Sequence, residues 1–183
     1  MFLSSGITLR KWLTGSLLTL LIMACNQKPV SPEKAVTEET YREQLINVNK
    51  KMVITEDELI NDFTDRYQWK MNTTGTGLRY MIYSKGEGPA VMPGMEAHIA
   101  YSVVLLNGDT CYASLDKSFI IGKGKIEPGL DEGLRMMHEG DKAKFILPSH
   151  LAFGLLGDRR SIPQKATLVY DVHLLDLMDI KQE

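Results

Sequence analysis

Cysteine is nearly absent: 183 residues hold only Cys25 and Cys111. A disulfide-stapled scaffold is therefore excluded. Neither sign of charge dominates, with 21 Lys and Arg against 23 Asp and Glu and a formal net charge of −2. That balance lacks the basic excess by which nucleic-acid binders are read, so no nucleic-acid partner is expected. Signatures of covalent and metal catalysis are missing as well. There is no Gly-x-Ser-x-Gly elbow, and Gly122-Lys-Gly-Lys125 has neither the spacing nor the hydroxyl of a P-loop. His98, His138, His150 and His173 do not fall at metal-ligand spacings. No metal, no cofactor and no nucleophile is expected.

The longest apolar run, Trp12 to Ala24, is interrupted by Thr14, Gly15, Ser16 and Thr19. It falls short of the roughly 20 consecutive apolar residues that span a bilayer. With Arg10 and Lys11 ahead of it, the run suits the apolar core of a secretory signal. Ile22-Met23-Ala24-Cys25 resembles the lipobox at which lipoprotein signals are cleaved. Residues 1–24 are thus expected to be a signal peptide, and Cys25 to be the lipidated first residue of the mature protein. Two or three acyl chains on one terminus hold a protein firmly to a membrane, because each buried methylene adds about 0.8 kcal/mol. A lipidated Cys25 cannot pair with Cys111.

Residues 25–38 carry prolines and charges but few large apolar groups and read as a solvated spacer. Residues 39–72 read as helical. Thr40 with Glu43 and Thr55 with Glu58 are two capping-box patterns, which predict two amphipathic helices with stripes Tyr41, Leu45, Val48, Met52 and Leu59, Phe63, Tyr67. Such stripes need a cover. They either pack on the following domain or pair two copies of the chain. Asn72-Thr-Thr-Gly-Thr-Gly77 then supplies a break.

Over 73–178 the period changes to two. Ala97, Ile99, Tyr101, Val103 and Leu105 alternate with smaller or polar residues, and Asn107-Gly108 is a strong hairpin signal that places Cys111 on the next strand. Ala143, Phe145, Leu147 and Leu168, Tyr170, Val172, Leu174 repeat the alternation. One helix interrupts it, with Pro128 in its first turn, Leu130, Leu134 and Met137 on one face, and Gly140 at its end. The expected fold is α+β, a curved antiparallel sheet, wet on one face, packed on one short helix and preceded by a helical segment.

Three stretches in this order, HIAYSVVLLNGDT at 98–110, FIIGKGKIEPGLDEGLRMMHEGDKAKFILPSHLAFG at 119–154 and IPQKATLVYDVHLLDL at 162–177, resemble the FKBP family of peptidyl-prolyl isomerases. The resemblance implies that family's sheet-on-helix fold and a pocket that turns X-Pro bonds without a nucleophile. It implies a substrate-binding role for Tyr101, for the apolar Ile126, for Glu127 through its backbone N–H, and for Leu130 as pocket floor. Phe153 stands where the family usually has a hydroxyl-bearing tyrosine, and Ile162 and Tyr170 match its wall. Where active members carry Phe-Asp-x-Ser after the hairpin, this sequence has Cys111-Tyr112-Ala113-Ser114, so the resemblance implies substrate-binding positions for Cys111 and Tyr112 as well. The aromatic is lost or moved by one residue, which in a strand turns it to the other face, and the carboxylate is gone. The family's aromatic flap residue has no clear counterpart before Phe119.

The implied function is a lipid-anchored isomerase of the bacterial envelope. It would face the periplasm, act on proline-containing segments of exported proteins and assist their folding. The departures at Cys111, Tyr112, Leu130 and Phe153 leave a second reading, a catalytically weak or silent FKBP-like module that binds or assembles in an envelope complex.

Overall fold

The computed structural model describes residues 38–180. The expected signal peptide, Cys25 and nearly all of the spacer lie outside the described residues. The chain divides into two compact units, residues 1–45 and 46–183. In the first, the described residues are the opening turns of a helix. The second holds the rest of that helix, the sheet and the cavities described below.

Helix α1 runs unbroken from Glu38 to Arg66, 29 residues, where the paired capping boxes predict two helices. The reason is local. No glycine or proline interrupts this stretch, and the Thr55 hydroxyl, instead of capping a new helix, donates to the Lys51 carbonyl one turn back at 3.0 Å.

Six strands follow: β1 (Asn72–Thr73), β2 (Arg79–Ser84), β3 (Glu96–Leu105), β4 (Thr110–Ile120), β5 (Lys142–Leu147) and β6 (Leu168–Met178). They form one sheet in the order β1-β2-β5-β6-β3-β4, and every pairing is antiparallel. The predicted break at 72–77 thus begins with a two-residue strand. The Asn107-Gly108 turn joins β3 to β4, with Asn107 Oδ1 accepting from the Asp109 N–H at 3.0 Å.

Helix α2 (Pro128–Leu134) lies inside the curve of the sheet. It stops at Leu134, short of the expected Gly140, because the chain tightens into turns in which Met136 and Met137 N–H bond the carbonyls of Gly133 and Leu134. Met137 is fully buried all the same. One face of α2 is built of glycine. A Cβ at Gly129 would stand 2.6 Å from Leu147 Cγ, and one at Gly133 would stand 2.9 Å from the Phe145 ring. Leu130 and Leu134, flanking those glycines, fill the core together with Val103, Phe145, Leu147 and Tyr170.

The opposite face of the sheet is not wholly wet. Ile60 and Phe63 of α1 bury against Ile146 and Val169, with Trp69 and Met71 beside them. That covers one of the two expected stripes in part, whereas Leu59 and Tyr67 stay exposed. Polar contacts fix the same seam. Arg79 of β2 is ion-paired with Asp57. Glu56 accepts from Ser149 N–H at 2.6 Å, Ser149 Oγ at 3.0 Å and Thr167 Oγ1 at 2.6 Å. Ser149 and Thr167 bracket the long connection from β5 to β6, so one carboxylate holds both ends of that loop. Glu56→Ala should lower the unfolding free energy by about 1–3 kcal/mol, since it leaves half-buried donors unmet. Urea denaturation of the variant beside Glu56→Gln, which keeps an acceptor, measures it.

Candidate functional site

Where β3 and β4 curl over the N-terminal end of α2, a cavity of about 440 Å³ opens. β3 supplies Tyr101 and Val103. β4 supplies Tyr112, Lys117 and Phe119. Lys125, Ile126, Glu127 and Leu130 come from the loop before α2 and its first turn, and Tyr170 comes from β6. The β5–β6 connection contributes Phe153, Asp158 and Arg160.

Alternation explains the inner wall. Tyr101 pairs across the ladder with Val172 and Val103 with Tyr170, so Tyr101, Val103 and Tyr170 turn to one face. Tyr101 lies 6.1 Å from Tyr170 and 6.4 Å from Phe119, centroid to centroid, at tilted angles. Leu130, only 1% exposed, closes the bottom. Next to it is a backbone donor. Glu127 precedes α2 with φ −59° and ψ 137°, and its N–H has no acceptor among the described residues. The arrangement is an aromatic cup with one free amide at its lip.

Of the residues singled out in the sequence, Tyr101, Tyr112, Ile126, Glu127, Leu130, Phe153 and Tyr170 line this cavity. Cys111 and Ile162 do not. Ile162 is 3% exposed and belongs to the core behind the wall. Cys111 packs on the same core and donates its thiol to the Ser161 carbonyl at 3.5 Å. Val103, Lys117, Phe119, Lys125, Asp158 and Arg160 line the cavity without having been singled out. Phe119 supplies an aromatic where none was expected. The bulge in β4 opposite Ile99 and Tyr101 breaks its alternation, so Tyr112 and Phe119, an odd number of residues apart, both reach the cavity, which the sequence pattern does not show.

The carboxylate missing from β4 returns from another segment. Asp158 accepts from the Tyr112 hydroxyl and from the N–H groups of Arg160 and Ile162, each at 2.8 Å. Gly157, at φ +64°, turns the chain so tightly that a Cβ there would meet the Ile162 carbonyl at 2.3 Å. Burial alone would raise the Asp158 carboxyl, but the Tyr112 hydroxyl and the N–H groups of Ile162, Arg160 and Ser161 outweigh it and hold it below the usual carboxylate range. A depressed carboxyl stabilises the fold above the ordinary aspartate range and ceases to do so as pH falls through the lower folded value. The loop is therefore held across neutral pH. The tyrosine hydroxyls move the other way. Burial, then the Glu127 carboxylate, raises both Tyr101 and Tyr170, so each keeps its proton.

A larger groove of about 740 Å³ runs between α1 and the β5–β6 connection, lined by Met52, Val53, Leu59, Leu105 and Leu155. It gathers no ring stack of this kind.

A six-stranded antiparallel sheet curled on one short helix, with an aromatic cup where strand and helix meet, defines an α+β class of fold. Residues 88–175 match the family described as FKBP-type peptidyl-prolyl cis-trans isomerase. The FK506-binding protein of Neisseria meningitidis serogroup B is 34% identical over 107 residues, covering 56% of this chain and 98% of that protein. The chain belongs to the FKBP family. It is also 36% identical over 105 residues to FK506-binding protein 4 of Dictyostelium discoideum, covering 56% of this chain and 29% of that one. For a probable FKBP-type peptidyl-prolyl cis-trans isomerase of Haemophilus influenzae the figures are 30% over 109 residues, 58% and 45%. The chain thus spans under half the length of these last two relatives. The crystal structure titled AtFKBP13 shares the fold, with TM-score 0.56 and 24% identity over 59% of this chain and 98% of that one.

Tyr112→Phe removes one donor to Asp158, so that carboxyl should titrate closer to its ordinary value of ~3.9. Side-chain NMR reads the shift, and an unmoved titration would assign the effect to the backbone donors alone. Burial, with Asp158 and Asp109 nearby, pushes the Cys111 thiol up. Native Cys111 should therefore be alkylated more slowly at neutral pH than the unfolded chain, as peptide mass mapping of iodoacetamide-treated protein would show.

Proposed function

We propose that the chain is a peptidyl-prolyl cis-trans isomerase whose substrates are proline-containing segments of other polypeptides. The observation that carries this reading is the convergence of Tyr101, Phe119, Leu130 and Tyr170 on one cavity beside the unpartnered Glu127 N–H. A proline ring fits against the aromatic walls and Leu130, and the Glu127 N–H meets a substrate carbonyl.

The chemistry asks for little more. Rotation about an X-Pro bond is slow because twisting sacrifices amide resonance, a barrier of about 18–20 kcal/mol. Unaided it takes tens to hundreds of seconds. The twisted amide has less charge separation than the planar one, so a cup that excludes water favours it over the ground state. The free N–H holds one carbonyl while the other rotates. No proton transfer and no covalent intermediate enters.

The second reading, a silent binding module, draws support from Phe153, which lines the cavity but has no hydroxyl to offer a substrate. The lipobox-like Ile22-Met23-Ala24-Cys25 supports a lipid anchor at Cys25 and a place in the bacterial envelope, probed by exported chains. Val48 and Val53 of α1 remain exposed, which supports pairing of two copies through the N-terminal helical segment.

Refolding of a protein limited by proline isomerisation, followed with the full chain in mild detergent, tests the first reading. Acceleration that Leu130→Lys reduces at least tenfold is the expected result. A trace superimposable on buffer would leave the binding module.

A further inference from the structure

Charge at the mouth of the cavity has no part in twisting an amide. Five charged side chains line it: Lys117 from β4, Lys125 from the 121–127 loop, Arg160 from the β5–β6 connection, and the carboxylates Glu127 and Asp158. The two signs are not equivalent. Asp158 is half-buried and engaged by the Tyr112 hydroxyl and two backbone N–H groups. Glu127 is half-buried beside the Tyr170 hydroxyl. Lys117, Lys125 and Arg160 are exposed, and none of the ion pairs among the described residues includes them.

Their convergence is not the solvated face of a single element. Three separate segments, β4, the loop before α2 and the β5–β6 connection, each put one cation on the same rim of a chain whose overall balance is acidic. Inside lie donors and rings with their carboxylates already occupied; outside lie cations without partners. A peptide whose proline sits on Leu130 must carry its neighbouring side chains across that rim. Opposite charge there lowers the energy of the bound state and speeds encounter, and like charge opposes both.

We propose that Lys117, Lys125 and Arg160 are specificity-determining residues that make the site prefer prolines flanked by an acidic side chain. The substrate class is an acidic residue followed by proline, and a basic residue followed by proline is disfavoured. This rests on the isomerase reading above.

The test compares three peptides, Ala-Glu-Pro-Phe, Ala-Gln-Pro-Phe and Ala-Lys-Pro-Phe, with blocked termini. Full-chain protein in neutral detergent is added, and cis-trans exchange is measured by NMR so that no coupling protease imposes its own preference. At about 20 mM salt the Glu peptide should exchange roughly three- to tenfold faster than the Lys peptide per unit of protein, with Gln between, as befits exposed charges. In about 1 M salt the ratio should shrink toward one, since charges are then screened within a few ångströms. The combined variant Lys117→Gln, Lys125→Gln, Arg160→Gln should flatten the Glu-to-Lys ratio at low salt; Lys123→Gln, on the same loop but off the rim, should keep it. Equal rates for the Glu and Lys peptides with the Gln peptide still accelerated overturn this proposal and leave the isomerase reading standing. Acceleration of none of the three removes that reading and the proposal with it. A ratio that survives the triple variant assigns the preference to other groups and overturns it too.

Discussion

The closeness of α2 to β5 is the constraint on which the site depends. Gly129 and Gly133 present bare backbone to Leu147 and the Phe145 ring, at distances where a methyl group would collide. Sheet and helix can then pack without an intervening layer of side chains. Leu130 and Leu134 fall between strands that curve around them, fully buried. Glu127, just ahead of Pro128 at the start of the helix, lies where backbone N–H groups have no intrahelical acceptor, and its amide is left open at the rim. Floor and donor thus sit side by side on the first turn of one helix. A methyl group added at either glycine would overpack the interface, a change that typically costs about 1–3 kcal/mol.

The second constraint is the long connection between β5 and β6, which has no strand or α-helix of its own and must still deliver Phe153, Asp158 and Arg160 to the cavity. Loops of that length are ordinarily mobile. Here it is tied at several points. Glu56 holds Ser149 and Thr167 at its ends, and Asp158 folds its middle onto Tyr112 and onto its own backbone. Lys165 N–H closes on the Gly154 carbonyl at 3.0 Å. The helical segment ahead of the sheet therefore reaches the pocket through a carboxylate, without touching the cavity itself.

What the sequence disclosed follows from how each feature is encoded. Strands half-buried on one side write themselves as alternation, so β3 and β5 were legible to within a residue and β6 as far as Leu174, four residues short of its end, and with them Tyr101 and Tyr170. Asn107-Gly108 marked the hairpin because few residues tolerate that turn. Helix limits were less legible: Thr55 and Glu58 have the spacing of a cap, and only the lack of any breaker between Glu38 and Arg66 argues for continuity. Asp158 and Arg160 were not legible at all. Their contacts cross 46 residues to Tyr112 in one case, and nothing in a Gly-Asp-Arg-Arg-Ser stretch announces a partner so distant. Cys111 and Ile162 were placed in the pocket by resemblance, yet both sit one layer behind it, where side chains that line a wall are themselves supported.

The Tyr112–Asp158 pair alters the weight of the substitution after the hairpin. Read along β4 alone, Cys111-Tyr112 deletes a ring and a charge from the place where an X-Pro bond would twist. In space both survive, since Phe119 supplies a ring from farther along β4 and Asp158 supplies a carboxylate from the β5–β6 connection. The carboxylate is bound by a hydroxyl and by backbone N–H groups, however, so it acts on its surroundings as a fixed anchor of the loop more than as a free charge facing substrate. Twisting an amide gains most from exclusion of water and from shape, and the apolar surface for both comes from Tyr101, Phe119, Leu130 and Tyr170. Phe153 withholds only a hydrogen bond, a contribution of about 0.5–1.5 kcal/mol where both partners would otherwise meet water. Such a loss slows an isomerase by at most about an order of magnitude. Binding a proline ring and twisting its amide call on the same rings, the same floor at Leu130 and the same free amide, so the cup serves either reading and only a rate tells them apart.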